Sequence, residues 1–309
     1  MKIVFMGTPE FAVSSLEALY ESGHEIALVV TQPDRPKGRG YTLTPSDVKK
    51  YALEHGTEVI APPSLKDNEV IEKLRGVDAD LFVVTAYGRI LSKEILDMPK
   101  LGCVNVHASL LPKWRGAAPI NRAIMSGDKV GGVTIMYMDV GLDTGDIILS
   151  KPIDIDEGWT AEEYHDALAS CGKEALTEFL RLAENGNIPR TKQDDDLATY
   201  AAKIGNEDAY LTFDEAAEDV RNRIRGLSPF PGSFFFMGGK RFKVRYAVTS
   251  DGSGEIGTVI STHKGGIEIA CRTGSVIITK LCPEGKGVCD AESYLRGNKI
   301  AIGTKVNER

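Results

Sequence analysis

The chain has 309 residues, 42% of them apolar and 26% charged, with a net charge of −7 and five cysteines. That length exceeds what one compact core usually holds, so two domains are expected. No run approaches the ~18 apolar residues of a membrane span, and the apolar stretch at residues 1–6 stops at Gly7-Thr8-Pro9, too short for a secretory leader, so a cytoplasmic location is expected. The cysteines (Cys103, Cys171, Cys271, Cys282, Cys289) are odd in number, widely spaced and lack a C-x-x-C pair. This argues against a disulfide framework or a structural zinc, and no metal is expected.

Short apolar or β-branched runs fall at residues 2–6, 25–31, 57–60, 81–86 and 102–107, with helical stretches between them. Residues 11–22 carry Ala12, Leu16 and Leu19 at helical spacing and stop at Gly23, a natural C-terminal glycine. Residues 46–55 and 68–74 read as weaker helices. Strand–helix alternation predicts a parallel sheet covered on both faces, a Rossmann-like wind whose ligands bind beyond the carboxyl ends of the strands. The nucleotide fingerprints are missing. Gly7-Thr8-Pro9-Glu10-Phe11-Ala12 is not G-x-G-x-x-G, and Gly38-Arg39-Gly40 follows the second strand rather than the first. Pro283-Glu284-Gly285-Lys286-Gly287 lacks the upstream glycine and following Ser/Thr of a P-loop. Nicotinamide and nucleoside triphosphate chemistry are therefore excluded.

A long helix over residues 161–185 is ended by Gly186 and Pro189, and the polar stretch 187–207 contains Asp194-Asp195-Asp196. Beyond residue 208 the pattern changes. A helix over 214–225 is followed by glycine-separated strands at 234–236, 241–248, 257–261, 266–271 and 275–281, the spacing of a small β-barrel. The expected organisation is α/β, with a Rossmann-like domain at 1–189, a linker at 190–207 and a β-barrel domain at 208–309. Charge divides similarly, since residues 206–309 carry net +2 and residues 1–205 net −9. Arg221, Arg223, Arg225, Lys240, Arg241, Lys243 and Arg245 form a basic group that suits a modest phosphate-contacting face.

The chemistry concentrates in Asn105-Val106-His107-Ala108-Ser109-Leu110-Leu111-Pro112 and, further on, Gly141-Leu142-Asp143-Thr144-Gly145-Asp146. Alternate residues of a strand share a face, so Asn105 and His107 are expected to point the same way at a strand end. An amide offers N–H donors, an imidazole gives or takes a proton, and Asp143 is placed to orient that imidazole or to shuttle a proton. Acyl transfer to an amine needs such a set: a donor for the developing oxyanion and groups that move protons. Each residue alone has a plainer reading, as a structural histidine, a turn-forming asparagine or an Asx turn. It is their combination that points to a site.

The strand and loop Asn-x-His-x-Ser-Leu-Leu-Pro resemble the signature of the folate-dependent formyltransferases. The run Ser109–Ile120, the run Val133–Asp146, Gly7-Thr8-Pro9-Glu10-Phe11 and residues 31–40 are similar to the branch that formylates methionyl-tRNA, and the similarity covers essentially the whole chain. The resemblance implies 10-formyltetrahydrofolate as donor, methionyl-initiator tRNA as acceptor, and an OB-like barrel that helps hold the tRNA. It assigns catalysis to Asn105, His107 and Asp143. The folate site would be lined by Ser109, Leu110, Leu111 and Pro112, with Tyr87, Gly88, Ile90 and Val140 as neighbours.

The segment 31–45 holds Arg35, Lys37, Arg39 and three prolines, so it is neither a helix nor a central strand. Its length and composition read either as a functional loop or as a solvated, turn-rich one; the resemblance implies the first, a loop that enters the tRNA acceptor stem, with Arg39 foremost. A small-amine formyltransferase or a formate-releasing hydrolase would share the same three catalytic residues. The basic loop and the β-rich tail distinguish the tRNA reading from both. A non-catalytic tRNA-binding protein would have no use for the amide, imidazole and carboxylate set. A monomer is expected, because no long apolar face is left over.

Overall fold

The computed structural model describes residues 1–37, 42–263 and 265–308. Its strands in chain order are β1 (Lys2–Gly7), β2 (Glu25–Val30), β3 (Arg35–Lys37), β4 (Thr42–Thr44), β5 (Val59–Ile60), β6 (Leu81–Thr85), β7 (Cys103–His107), β8 (Arg115–Gly116), β9 (Val130–Tyr137), β10 (Ile147–Asp154) and β11 (Tyr200–Ala201). Then follow β12 (Ser233–Met237), β13 (Lys240–Ser250), β14 (Val259–His263), β15 (Gly266–Ala270), β16 (Ser275–Pro283) and β17 (Cys289–Asp290). By their internal contacts the residues form two compact units. The first is Met1–Pro119, Val130–Asp154 and His165–Ala201; the second is Ile120–Lys129, Ile155–Tyr164 and Ala202–Arg309.

The first unit is built on a sheet of order β10-β9-β7-β6-β1-β2-β5. The strands from β5 to β7 run parallel, as their apolar runs predict. β1 is central, and the strand order reverses between β1 and β6, the place where such sheets open a crevice. The far edge departs from the expected all-parallel sheet: β9 runs antiparallel to β7, and β10 antiparallel to β9. For β10 the reason is connectivity: residues 138–146 link it to β9, and a parallel return would need a crossover helix that so short a link has no room to make. Flanking helices fall where periodicity places them, at Phe11–Glu21, Asp47–Glu54, Asn68–Gly76 and Ala161–Glu184. Ser46 caps the second of these by accepting from Lys49 N at 3.1 Å. Val4, Met6, Leu28, Val30, Leu74, Phe82 and Ile95 form one apolar core.

The basic segment is a short antiparallel hairpin, β3 with β4, separate from the main sheet. Proline cannot donate to an interior ladder, which keeps Pro36 out of the main sheet. Arg39 lies outside the described residues.

Where the glycine-punctuated pattern predicts a small β-barrel, the second unit carries an antiparallel sheet in order β12-β13-β16-β15-β14, with β17 beside β16. Alternation decides its faces. Phe235 and Met237 on β12 and Phe242 and Val244 on β13 turn inward, and the helix Ala217–Gly226 adds Val220 and Ile224. Among the described residues no helix is long and apolar enough to cross a membrane.

Candidate active site

β7 reads Cys-Val-Asn-Val-His and is clamped between β6 and β9, which fixes its register. Val104 and Val106 are buried on one face, leaving Asn105 and His107 to share the other, as strand alternation requires. Asn105 lies opposite Met136 and His107 opposite Thr134. The His107 ring is buried, with Nε2 at 3.1 Å from the carbonyl of Trp114. A carbonyl only accepts, so Nε2 carries the hydrogen and Nδ1 is the ring nitrogen left for chemistry. Nδ1 faces the Asp143 carboxylate, whose Oδ2 lies 3.8 Å away.

Asp143 is held by backbone rather than by charge. Its Oδ2 accepts from Gly116 N at 2.8 Å, and its own φ is 54°, a left-handed conformation that a non-glycine residue adopts at a cost of about 1–2 kcal/mol. The loop carrying it is closed by Asp139, which accepts from Gly141 N and Thr144 Oγ1 at 2.9 and 2.7 Å. Two glycines are required by close approach. A Cβ at Gly145 would stand 1.9 Å from the Tyr137 carbonyl, and one at Gly116 would stand 2.9 Å from the Ala201 carbonyl.

The Ser109–Pro112 loop is turned into the scaffold. Ser109 is buried, its hydroxyl donates to the Lys113 carbonyl, and its own carbonyl accepts from Thr134 Oγ1 at 2.7 Å. Leu111 N donates to the same Thr134 oxygen at 3.1 Å, Pro112 O accepts from Thr199 N at 3.3 Å, and the half-buried Leu110 packs at Gly132. Tyr87 is buried, and its carbonyl accepts from Gln32 Nε2 at 2.8 Å and Thr8 Oγ1 at 3.2 Å. Gly88 has φ 80° beside Gln32, and Ile90 is 87% exposed.

A cavity of about 650 Å³ opens at the other end of β7. Leu96, Cys103, Tyr137, Met138, Val140 and Arg190 are among its lining residues. Val140 belongs to the expected folate set; the rest are new. Burial pushes the Cys103 thiol up to about 12, with Asp97 adding to the rise, so this wall is neutral. Arg190 stacks over the Tyr137 ring at 4.0 Å and lies 3.4 Å from Asp146.

Arg35 is exposed on β3 and hydrogen-bonds Gln32, and Lys37 ends the same strand. Much of the basic group in the second unit is engaged in structure. Arg225 is buried, donating to Asn222 Oδ1 at 2.8 Å and to the Trp159 carbonyl at 3.0 Å, and burial draws its guanidinium below the ordinary arginine range. Arg223 pairs with Glu215, Arg221 with Glu218, and Lys243 Nζ donates to the Pro231 carbonyl. The phosphate-contacting face expected from these residues is thus reduced, because helix packing and carboxylates take the arginines of residues 221–225.

Sequence reasoning missed Gln193, Arg115 and Thr134. The partners of their side chains lie 16 to 80 positions away, so no local spacing signals them. Among the described residues no group of three or more His, Cys, Asp or Glu is arranged to hold a metal ion.

The formyl transferase family model matches residues 1–180, and the model of the formyl transferase C-terminal domain matches residues 203–299. The chain belongs to the formyl transferase family. Among relatives of this formyl transferase is a methionyl-tRNA formyltransferase of Geotalea daltonii, 47% identical over 309 residues, covering 100% of this chain and 99% of that one. The fold is similar to a methionyl-tRNA formyltransferase from Clostridium thermocellum, with TM-score 0.57 and 21% identity over 82% of this chain and 95% of that one. It is also similar to a sugar 3N-formyl transferase solved in the presence of dTDP and 5-N-formyl-THF, with TM-score 0.70 and 19% identity over 93% of this chain and 99% of that one. The chain is a formyl-transferring enzyme.

Proposed function

We propose that the enzyme transfers a formyl group from 10-formyltetrahydrofolate to the α-amino group of methionyl-initiator tRNA, giving N-formylmethionyl-tRNA for translation initiation. The observation that supports this reading is the approach of His107 to Asp143, with Asn105 two residues back on the same strand face, in a chain whose full length matches a methionyl-tRNA formyltransferase. The cavity beside β7 fits a folate. Leu96, Cys103, Met138 and Val140 supply apolar walls for a flat ring, and it opens on the two elements that carry Asn105 and Asp143. A relative solved with 5-N-formyl-THF supports the same donor class.

When bound, the donor supplies a formyl carbon attached to a nitrogen that can leave as an amine. The Asn105 amide holds the formyl oxygen as charge builds there, an interaction worth roughly 3–4 kcal/mol in the transition state. Asp143 receives the proton that the attacking α-amine sheds, directly or through one water. Asp143 passes that proton to His107 Nδ1, 3.8 Å away, and His107, fixed by Trp114, would deliver it to the folate nitrogen, which must gain a proton as its bond to the formyl carbon breaks. Arg35, Lys37 and Arg39 are proposed to contact the tRNA. The products are the formylated aminoacyl-tRNA and tetrahydrofolate.

The test is a transfer assay with formyl-labelled 10-formyltetrahydrofolate. Label must move to RNA only when methionyl-initiator tRNA is present, not uncharged tRNA. Label released as formate without RNA would instead make the protein a hydrolase, and no transfer and no release would redirect the search to small amines.

A further inference from the structure

The acidic run Asp194–Asp196 and the polar stretch around it have no role in the proposed chemistry, yet they hold the site. Residues 191–201 form a strap across both loops that carry it. At one end Thr191 exchanges two backbone hydrogen bonds with Ile147, at 2.8 and 2.9 Å. At the other, β11 pairs with β8, and Thr199 O and Oγ1 accept from Arg115 N at 2.8 Å and Trp114 N at 2.9 Å. Trp114 is the residue whose carbonyl fixes His107.

Gln193 sits between these ends, only 5% exposed. Its Nε2 donates to the carbonyls of Asp143 and Gly145, both at 2.8 Å. Its Oε1 accepts from Arg115 Nε at 3.1 Å and Nη2 at 2.8 Å, and Arg115, 2% exposed, pairs through Nη2 with Asp195 at 2.8 Å. One carboxamide therefore uses both donors on the backbone of the Asp143 loop and its acceptor on a buried cation. The Asp143 backbone is left-handed and unfavourable in isolation, so it needs such partners to keep its place.

We infer that Gln193 is a positioning residue for the proposed reaction: it holds the Asp143 loop so that the carboxylate stays between Gly116 N and His107 Nδ1. This rests on the reading of Asp143 as a catalytic residue. The separating substitution is Gln193→Glu, which keeps the acceptor for Arg115 and removes both donors to the loop.

The test measures kcat, both KM values and thermal midpoint for Gln193→Glu, Asp143→Asn and the double variant. It also records the His107 ring nitrogen resonances of each without substrates. For Gln193→Glu, kcat is expected to fall about 10- to 100-fold, with both KM values within about twofold and the midpoint within a few degrees, as a misplaced group costs rate rather than binding. The double variant is expected to be no slower than Asp143→Asn alone, because the two losses share one interaction. The His107 resonances are expected to move in the same direction in both single variants. A normal kcat in Gln193→Glu beside an impaired Asp143→Asn overturns the inference, as do losses that multiply in the double variant. A normal kcat in Asp143→Asn overturns the catalytic reading instead, and the His107 resonances then judge the positioning alone. Should the added charge prevent folding, Gln193→Met removes the same donors and must give the same kcat loss; failure of both variants to fold makes the residue structural and overturns the inference.

Discussion

In the second unit, Phe235 stacks on Phe242 and meets Phe213 edge-on, both at 5.6 Å, inside a cluster of buried apolar side chains. Around His107 in the first unit the contacts are of another kind. A backbone carbonyl fixes the ring, a backbone N–H fixes the carboxylate, and a carboxamide fixes the loop beneath it. The apolar core tolerates small shifts, since burial is non-directional and proportional to area. The polar clasp does not, because each hydrogen bond has a narrow geometry and an unmade one in a buried site costs about 1–3 kcal/mol. The difference teaches that stability and chemistry can be perturbed separately in this molecule.

The strongest disruption is expected on the core side. Phe235→Ala should cost about 3–5 kcal/mol of stability by chemical denaturation, as a large buried ring is lost; a change under 1 kcal/mol would mean that the core refills easily. On the site side, Asn105→Ala should slow formyl transfer roughly 10²- to 10³-fold with an unchanged denaturation midpoint. A folded variant with near-normal turnover would remove Asn105 from the mechanism. Gly116→Ala joins the two effects, because its Cβ would press on the Ala201 carbonyl at φ 121°. It should lose about 1–3 kcal/mol of stability and also lower kcat, since Gly116 N holds Asp143.

A smaller effect tests a polar contact within the second unit. Burial tends to raise the Asp208 carboxyl, but the paired Arg122, at 2.6 and 3.0 Å, and Gly205 N bring it below the usual carboxylate range. A depressed folded value means that this stability is present above about pH 4, the unfolded value, and is lost as pH falls through the folded one. Asp208→Asn should therefore be about 1–2 kcal/mol less stable than the parent at pH 7, with the gap closing as pH falls through the depressed folded value. A gap that persists in acid would assign the effect to packing. The smallest change is expected from Arg35→Ala, an exposed side chain, which should raise the KM for tRNA only about two- to threefold and leave turnover alone.

The legible parts of the molecule are those in which neighbours in sequence are also neighbours in structure. The buried runs of β1, β2, β6 and β7 and the spacing of Ala12, Leu16 and Leu19 specify their elements through periods of two and 3.6 residues. β9 escaped this reading because Gly131 and Gly132 weaken a strand pattern. In the fold Gly132 marks a close approach, where a Cβ would lie 2.2 Å from the Lys151 carbonyl. The Arg221–Arg225 group misled for a related reason: charge is visible in the sequence, whereas burial of Arg225 against Asn222 and Trp159 is not.

By itself the sequence determined the parallel wind, the antiparallel second sheet, and the placing of Asn105 and His107 on one face of one strand. Periodicity and the strand pleat are local properties, readable without partners. Only the tertiary structure decided which His107 nitrogen is free, where the cavity beside β7 lies, and that the polar strap at residues 191–201 reaches back to Asp143. The last of these depends on hydrogen bonds between groups 50 to 80 positions apart, Gln193 with Asp143 and Arg115 with Asp195. Such pairings arise only when separate loops are brought together by the sheet that carries them.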